Sequence, residues 1–147
     1  MSIQIRKAQF PEDSPALHQL THQLGYPCSL ASFQQRMDQL HQHPMYQTWI
    51  AELNHQVVGY LGSLVHLSWE HDQQILHIQA LVVDENCRGQ GVGQHLLAAV
   101  EDYCRLQGIG WMIVLSGNRT KRQGAHQFYL HHGFSVSSSA FHKKLTV

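Results

Sequence analysis

The chain has 147 residues, and its ten basic and ten acidic side chains cancel. That length is one domain's worth, 1–147, able to bury about two-thirds of its unfolded surface without staples. The absence of a basic tract argues against nucleic acid or an anionic membrane as the main partner. No apolar run approaches the roughly 18 residues of a membrane span, and the alternating start, Met1-Ser2-Ile3-Gln4-Ile5-Arg6, lacks the apolar core of a signal peptide. Cys28, Cys87 and Cys104 are odd in number and show no C-x-x-C pairing, so neither a disulfide framework nor a zinc knuckle is indicated. The chain reads as cytoplasmic.

Residues 2–9 alternate as a first strand. Pro11-Glu12-Asp13-Ser14 has the composition of a helix start, and Leu17, Leu20 and Leu24 carry an apolar stripe to Gly25. Ser29 or Ser32 can cap a second helix bearing Phe33, Met37 and Leu40. Trp49 to Leu53 is a strand, Asn54-His55-Gln56 a hairpin turn, and Val57 to Trp69 a longer strand that Gly59 and Gly62 make pliable. Gln74 to Val83 is the next strand. Glu70 and Asp72 sit at the hairpin tip between them, where solvated charges are commoner than ligands. Of 13 histidines, His18 and His22 have the i, i+4 spacing of a metal pair, but no carboxylate shares their face. No metal site is expected.

Arg88-Gly89-Gln90-Gly91-Val92-Gly93 lies between the apolar run Ile78 to Val83 and an amphipathic segment. Glycines there let a ligand approach the backbone, and the N–H groups of a helix start with its dipole form an anion site. Arg88 adds a fork that matches phosphate. A P-loop is excluded, because Gly93 is followed by Gln94 and His95. The dinucleotide fingerprint is excluded too: the spacing is G-x-G-x-G, and the following carboxylates, Glu101 and Asp102, lie inside the helix. Six residues leave two readings open, a phosphate loop and an ordinary turn before a helix.

Val92, Leu96, Leu97, Val100, Tyr103 and Cys104 define a one-sided helix that stops at Gly108. Trp111 to Leu115 reads as a buried strand. A helix over about 121–131 follows, then Gly133, then two short strands ending at Leu145. The order β-α-α-β-β-β-α-β-α-β-β predicts an α/β (α+β) fold, with a mixed, mostly antiparallel sheet of about seven strands flanked by four helices. Ala125, Phe128, Tyr129 and His132 share one face of the last helix, which alone says only that it packs on the sheet.

The Arg88, Gly91, Gly93 pattern, Asn118 just past the next strand, and Phe128-Tyr129-Leu130-His131-His132-Gly133-Phe134 occur in this order. Together they resemble the GNAT superfamily of N-acetyltransferases, over nearly the whole chain. The resemblance implies acetyl-CoA as acetyl donor and a sheet splayed between 74–83 and 111–115. The pantetheine arm would pair with Leu81, Val82 and Val83. The pyrophosphate would rest on the N–H groups of Gly89, Gln90, Gly91, Val92, Gly93 and Gln94 beside Arg88, with Asn118 on the arm's other side. Ala125-His126, Ile78 to Val83 and the end from Ser137 to Leu145 look like the bacterial aminoalkylphosphonate N-acetyltransferases and related small-molecule enzymes. One departure is Ala80, where relatives often carry a Glu.

The implied chemistry is direct attack of a primary amine on the acetyl group through a tetrahedral intermediate. Tyr129, with an ordinary pKa near 10, can protonate the departing thiolate. A backbone N–H near Leu81 to Val83 can stabilise the oxyanion. Alternation sends His77 and Gln79 to one face, and His77 is the candidate base, directly or through water. A purely structural His77, with the amine losing its proton to solvent, stays open. The acceptor pocket is expected around Tyr26-Pro27-Cys28 and the strand 60–70, for a small-molecule amine, in a monomer or a homodimer. The competing readings are a protein lysine or N-terminal acetyltransferase, a non-catalytic coenzyme A-binding module, and an α/β interaction domain.

Overall fold

The computed structural model describes residues 2–115 and 123–147. Its elements are β1 (Ile3–Lys7), α1 (Ser14–Leu24), α2 (Leu30–His41), β2 (Tyr46–Leu53), β3 (Gln56–His66), β4 (Ile75–Val83), a short 3-10 turn (Glu85–Cys87), α3 (Val92–Gln107), β5 (Trp111–Val114) and α4 (Gln123–His131). The chain divides into two compact units, Met1–Ile113 and Val114–Val147.

In the first unit, β1 to β4 pair in sequence order, each antiparallel to the last. The sheet order is β1-β2-β3-β4-β5. A hairpin needs only a tight turn: Asn54 and His55, both at positive φ (53° and 65°), link β2 to β3. β5 follows β4 through α3, the helical crossover that parallel neighbours require.

Alternation divides the strands between two layers. Ile50, Tyr60 and Val82 lie side by side across β2, β3 and β4 and pack with Leu17, Leu20, Phe33 and Met37 of α1 and α2. α3 covers the other face. Its residues Val92, Leu96, Leu97 and Val100 are almost wholly buried, each worth about 1.5–3 kcal/mol. Tyr103 of α3 meets Trp49 of β2 edge-on at 5.2 Å. Ser29 accepts the Ser32 N–H at the start of α2. Gly25 and Gly108, both left-handed, close α1 and α3 with paired backbone bonds.

An ion pair fixes the start of α1 to β1. The buried Asp13 carboxylate accepts from Arg6 Nη1 at 2.8 Å and Nη2 at 2.9 Å, and from the Gln9 N–H at 2.7 Å. The Arg6 hydrogen bonds hold the Asp13 carboxyl below its ordinary range, against the opposing effect of burial. A depressed carboxyl pKa stabilises the fold above the ordinary carboxylate range, and that contribution is lost as pH falls through the folded-state value. Asp13→Asn should therefore cost about 2 kcal/mol at pH 7, less than the 3–5 of a fully buried pair because Arg6 is partly exposed. Urea unfolding at neutral and acid pH should show the gap between wild type and variant shrinking below about pH 4. A constant gap would refute the assignment.

Three expectations need correction. β3 ends at His66, so Leu67 to Trp69 belong to the connection, and Trp69 is fully exposed. Trp111 and Leu115 are exposed too, so the strand after α3 is not a buried one. Among the described residues the sheet has five strands rather than about seven.

In the second unit, α4 ends in a left-handed Gly133 (φ 89°), with Phe134 N–H on the Tyr129 carbonyl and Gly133 N–H on that of Leu130. Ala125, Phe128, Tyr129 and His132 are half-buried, whereas Leu130 and His131 are exposed. Phe128 stacks on His132 at 4.5 Å, and Tyr129 meets Phe134 at 5.5 Å. The two strands expected after Gly133 do not form: residues 135–147 have neither helix nor strand, and Val136, Phe141 and Leu145 are exposed. Ser137-Ser138-Ser139 offers little strand propensity, and no neighbouring strand pairs with this stretch.

Candidate active site

Beyond Val83 the chain turns sharply. Asp84 N–H donates to the Val58 carbonyl at 2.7 Å, and the Asp84 carboxylate accepts from Asn86 N–H at 2.9 Å. Gly89 (φ 80°) and Gly91 (φ 86°) then take the left-handed conformation that side chains resist. Gly91 is the N-cap of α3, and no side chain caps that helix. The first helical bond runs from His95 N–H to the Gly91 carbonyl, so the N–H groups of Val92, Gly93 and Gln94 have no helical acceptor. His95 Nδ1 also lies 2.7 Å from the Gly91 carbonyl and fastens the turn. Arg88 is exposed, its Nε donating to the Val83 carbonyl at 3.3 Å.

Gly59 explains how this helix start comes so close to the sheet. A Cβ there would lie 3.0 Å from the Val82 carbonyl oxygen and 3.2 Å from Val92 Cγ1. The residue serves close packing of α3 on β3 and β4, not the pliability expected of it.

Upstream on β4 the ladder with β3 is interrupted. Gly62 pairs with Ala80 and Ser63 with Ile78, leaving Gln79 as a bulge. A bulge takes its residue out of the ladder and re-aims the backbone. Gln79 is exposed in mid-strand, and it faces a cavity of about 730 Å³ between β3, β4, α1 and α2. Gly62 and Ala80 keep the wall low: a Cβ on Gly62 would touch only the Ala80 methyl at 3.7 Å and the Tyr60 ring at 3.9 Å. Tyr26, Pro27, Tyr60 and Ser63 also line the cavity.

Tyr60, like Thr21 and Ser63, is a buried polar group of this wall. Thr21 Oγ1 donates to the Leu17 carbonyl at 2.7 Å and lies 2.7 Å from Tyr60 Oη. Thr21 has one proton, already committed, so Tyr60 is the donor to Thr21 and keeps its lone pairs free. Burial pushes the Tyr60 phenol up, while the Thr21 hydrogen bond and the Arg36 guanidinium act the other way.

His77 lies opposite Leu64, on the cavity side by register, but it does not line the cavity. Its ring is 6.3 Å from that of His66. Burial, and then the neighbouring His66, lower its pKa, so it is neutral and able to accept a proton at pH 7. The expectation that His77 and Gln79 act as a simple alternating pair misses the bulge between them. Leu81, Val82 and Val83 complete β4, with Val82 buried and Leu81 and Val83 half-buried. Gln90 and Gln94 are exposed on the loop and the first turn of α3. Asn118 lies outside the described residues, and Tyr129 belongs to the second unit.

Sequence reasoning did not single out Tyr60, Thr21, Arg36 or His95, and it named Gln79 only as the neighbour of His77 on one face. The pair His18 and His22 reaches the Cys28 carbonyl with both rings, at 2.5 and 3.0 Å. Among the described residues, no group of three His, Cys, Asp or Glu could hold a metal ion, and no helix is long and apolar enough to cross a membrane.

This architecture is that of the GNAT acetyltransferases. A GNAT family acetyltransferase of Staphylococcus aureus superposes with a TM-score of 0.83 at 24% identity, covering 99% of this chain and 100% of that one. Glucosamine-6-phosphate N-acetyltransferase from Arabidopsis thaliana does so at 0.82 and 18%, over 99% and 100%. The chain belongs to the acetyltransferase (GNAT) family, whose model matches residues 8–134, and is an acyltransferase. An uncharacterised N-acetyltransferase of Bacillus subtilis (strain 168) is 29% identical over 93% of this chain and 92% of its own length. The aminoalkylphosphonate N-acetyltransferase of Salmonella typhimurium is 38% identical over 65% of this chain and 61% of its own.

Proposed function

We propose that the chain, as one catalytic domain, transfers an acetyl group from acetyl-CoA to the primary amine of a small molecule. The observation that carries this reading is the uncapped start of α3, set by Gly89 and Gly91 at the end of a strand whose bulge borders a cavity. Three N–H groups without helical acceptors fit a pyrophosphate. A cavity of about 730 Å³ falls within the roughly 300–1,000 Å³ of small-molecule sites. The acceptors named for two similar proteins, an aminoalkylphosphonate and glucosamine 6-phosphate, are also small amines.

In this reading the N–H groups of residues 89 to 94 and Arg88 hold the pyrophosphate, and Leu81 to Val83 and Asn118 hold the pantetheine arm. The bulged backbone at Gln79 and Ala80 brings a donor to the oxygen that gains charge, slightly upstream of the Leu81 to Val83 donor first expected. The amine nitrogen bonds to the acetyl carbon to give a tetrahedral intermediate, and its collapse breaks the carbon–sulfur bond and releases the thiolate. The nitrogen's proton leaves to His77 through water, since His77 does not line the cavity, and Tyr129 protonates the thiolate.

Thermal shift with acetyl-CoA, coenzyme A and NAD tests the donor. Acetyl-CoA at about 100 times its dissociation constant adds about 2.7 kcal/mol, a rise of several degrees, while NAD should leave the melting temperature nearly unchanged. A larger shift with NAD would overturn the assignment. Thiol release across a panel of amines then tests acetyl transfer.

A further inference from the structure

The cavity beside the bulge has an uneven charge. Among the described residues that line it there is no Asp or Glu, and Arg36 of α2 is the one that carries a charge. Arg36 is in none of the ion pairs among the described residues. Its side chain is exposed, and its guanidinium carbon lies 5.8 Å from the ring centroid of Phe33, which is itself buried. That contact rests the cation against the cavity wall. Its field reaches the hydroxyl of Tyr60 across the same space.

A small acceptor meets two kinds of polar group on the wall of this cavity. Tyr60, beside Thr21 of α1, offers an oxygen with free lone pairs, suited to an amine's N–H. On α2 it meets an unpaired guanidinium fork, which matches carboxylate or phosphonate oxygens two at a time. A polycationic amine would find a like charge and, among the described lining residues, no carboxylate to offset it. A neutral amine would leave the exposed guanidinium to solvent.

We propose that the acceptor carries an anionic group, a carboxylate or a phosphonate, on the same small molecule as its amine, and that Arg36 binds it. This inference rests on the cavity being the acceptor site of the proposed acetyl transfer. Arg36 is then a specificity residue that touches the acceptor away from the reacting nitrogen.

Aminoethylphosphonate, β-alanine and ethanolamine share a two-carbon spacer and differ in the group at its end. They should be compared on wild type, Arg36→Gln and Arg36→Lys, by thiol release and by calorimetry with coenzyme A present. Wild type should prefer one or both anionic amines over ethanolamine, and which one leads identifies the anion. A hydrogen bond to a charged group typically accounts for about 10- to 100-fold, so the anionic-to-neutral ratio of kcat/KM should fall by that factor in Arg36→Gln. Arg36→Lys should restore part of it.

Ethanolamine as the best acceptor, or a ratio unmoved in Arg36→Gln, would overturn the inference and leave the acetyl-transfer reading intact. Arg36-dependent binding of an anionic amine without acetylation would support the anion site and sink the acetyl-transfer reading. If neither anionic amine binds or is turned over, the inference is overturned. If Arg36→Gln fails to fold, the wild-type preference and the Arg36→Lys ratio decide.

Discussion

Gly91→Val is expected to weaken acetyl-CoA binding about 100-fold or more, the loss of two or more charge-assisted hydrogen bonds. Gly91 caps α3 at φ 86°, where a β-branched residue is strained by about 1–3 kcal/mol. Relief of that strain would rotate the N–H groups of Val92 and Gly93 away from their common focus. The new side chain would also crowd the His95 ring, whose Nδ1 is 3.6 Å from the position of a Cβ. Arg88→Ala should cost about tenfold or less, because an exposed ion pair contributes about 1 kcal/mol at most. Gly93→Val serves as the companion, since Gly93 is in the first turn of α3 and outside the positive-φ set. Its side chain intrudes on the bound pyrophosphate without straining the turn. Calorimetry showing wild-type affinity for both glycine variants would remove the loop from the coenzyme site.

Much of the scaffold was legible because its signals are local. Gly25, Gly108 and Gly133 each end a helix where the apolar stripe stops, and a left-handed cap needs little beyond the glycine itself. The stripe from Val92 to Cys104 marks α3 because a single face is buried. The bulge at Gln79 was hidden for the opposite reason. His77-Ile78-Gln79 alternates without a break, and the shift exists only relative to β3, where Gly62 and Ser63 face residues two apart. Gly59 misled similarly: its role depends on Val82 and Val92, remote in sequence. The two short strands expected after Gly133 do not form, because backbone without a pairing strand is not held in a sheet.

The site was legible in proportion to how much of it is backbone. Glycines announce a phosphate loop because their function is to have no side chain. Arg36 reads in sequence as an ordinary solvated residue of an amphipathic helix, and only its placement in a cavity without carboxylates distinguishes it. Thr21 and Tyr60 are 39 residues apart, so no local pattern joins them. The i, i+4 pair His18 and His22 looked like a metal motif, and its actual partner is a carbonyl in the α1–α2 connection.

Tyr129→Phe is expected to lower kcat by at least about tenfold while acetyl-CoA still binds, since general acid catalysis contributes about 10²–10⁴-fold. The ring is retained, and with it the edge-on contacts of Tyr129 with Phe128 and Phe134, both at 5.5 Å. The Gly133 cap uses the Tyr129 carbonyl, which the substitution leaves in place. Thermal unfolding of the two proteins separates any change in stability from the loss of rate. A general acid must still hold its proton at the working pH, and a phenol, with an ordinary pKa near 10, does so at pH 7. The rate loss should be largest with acceptors for which the chemical step limits turnover. It should shrink with an acyl donor whose thiol leaves more readily, because a better leaving group needs less help from the acid. A side chain that only packs would show neither dependence. Full activity of Tyr129→Phe with an acceptor whose chemistry is rate-limiting would remove Tyr129 as the acid and leave thiolate protonation to solvent or to another residue.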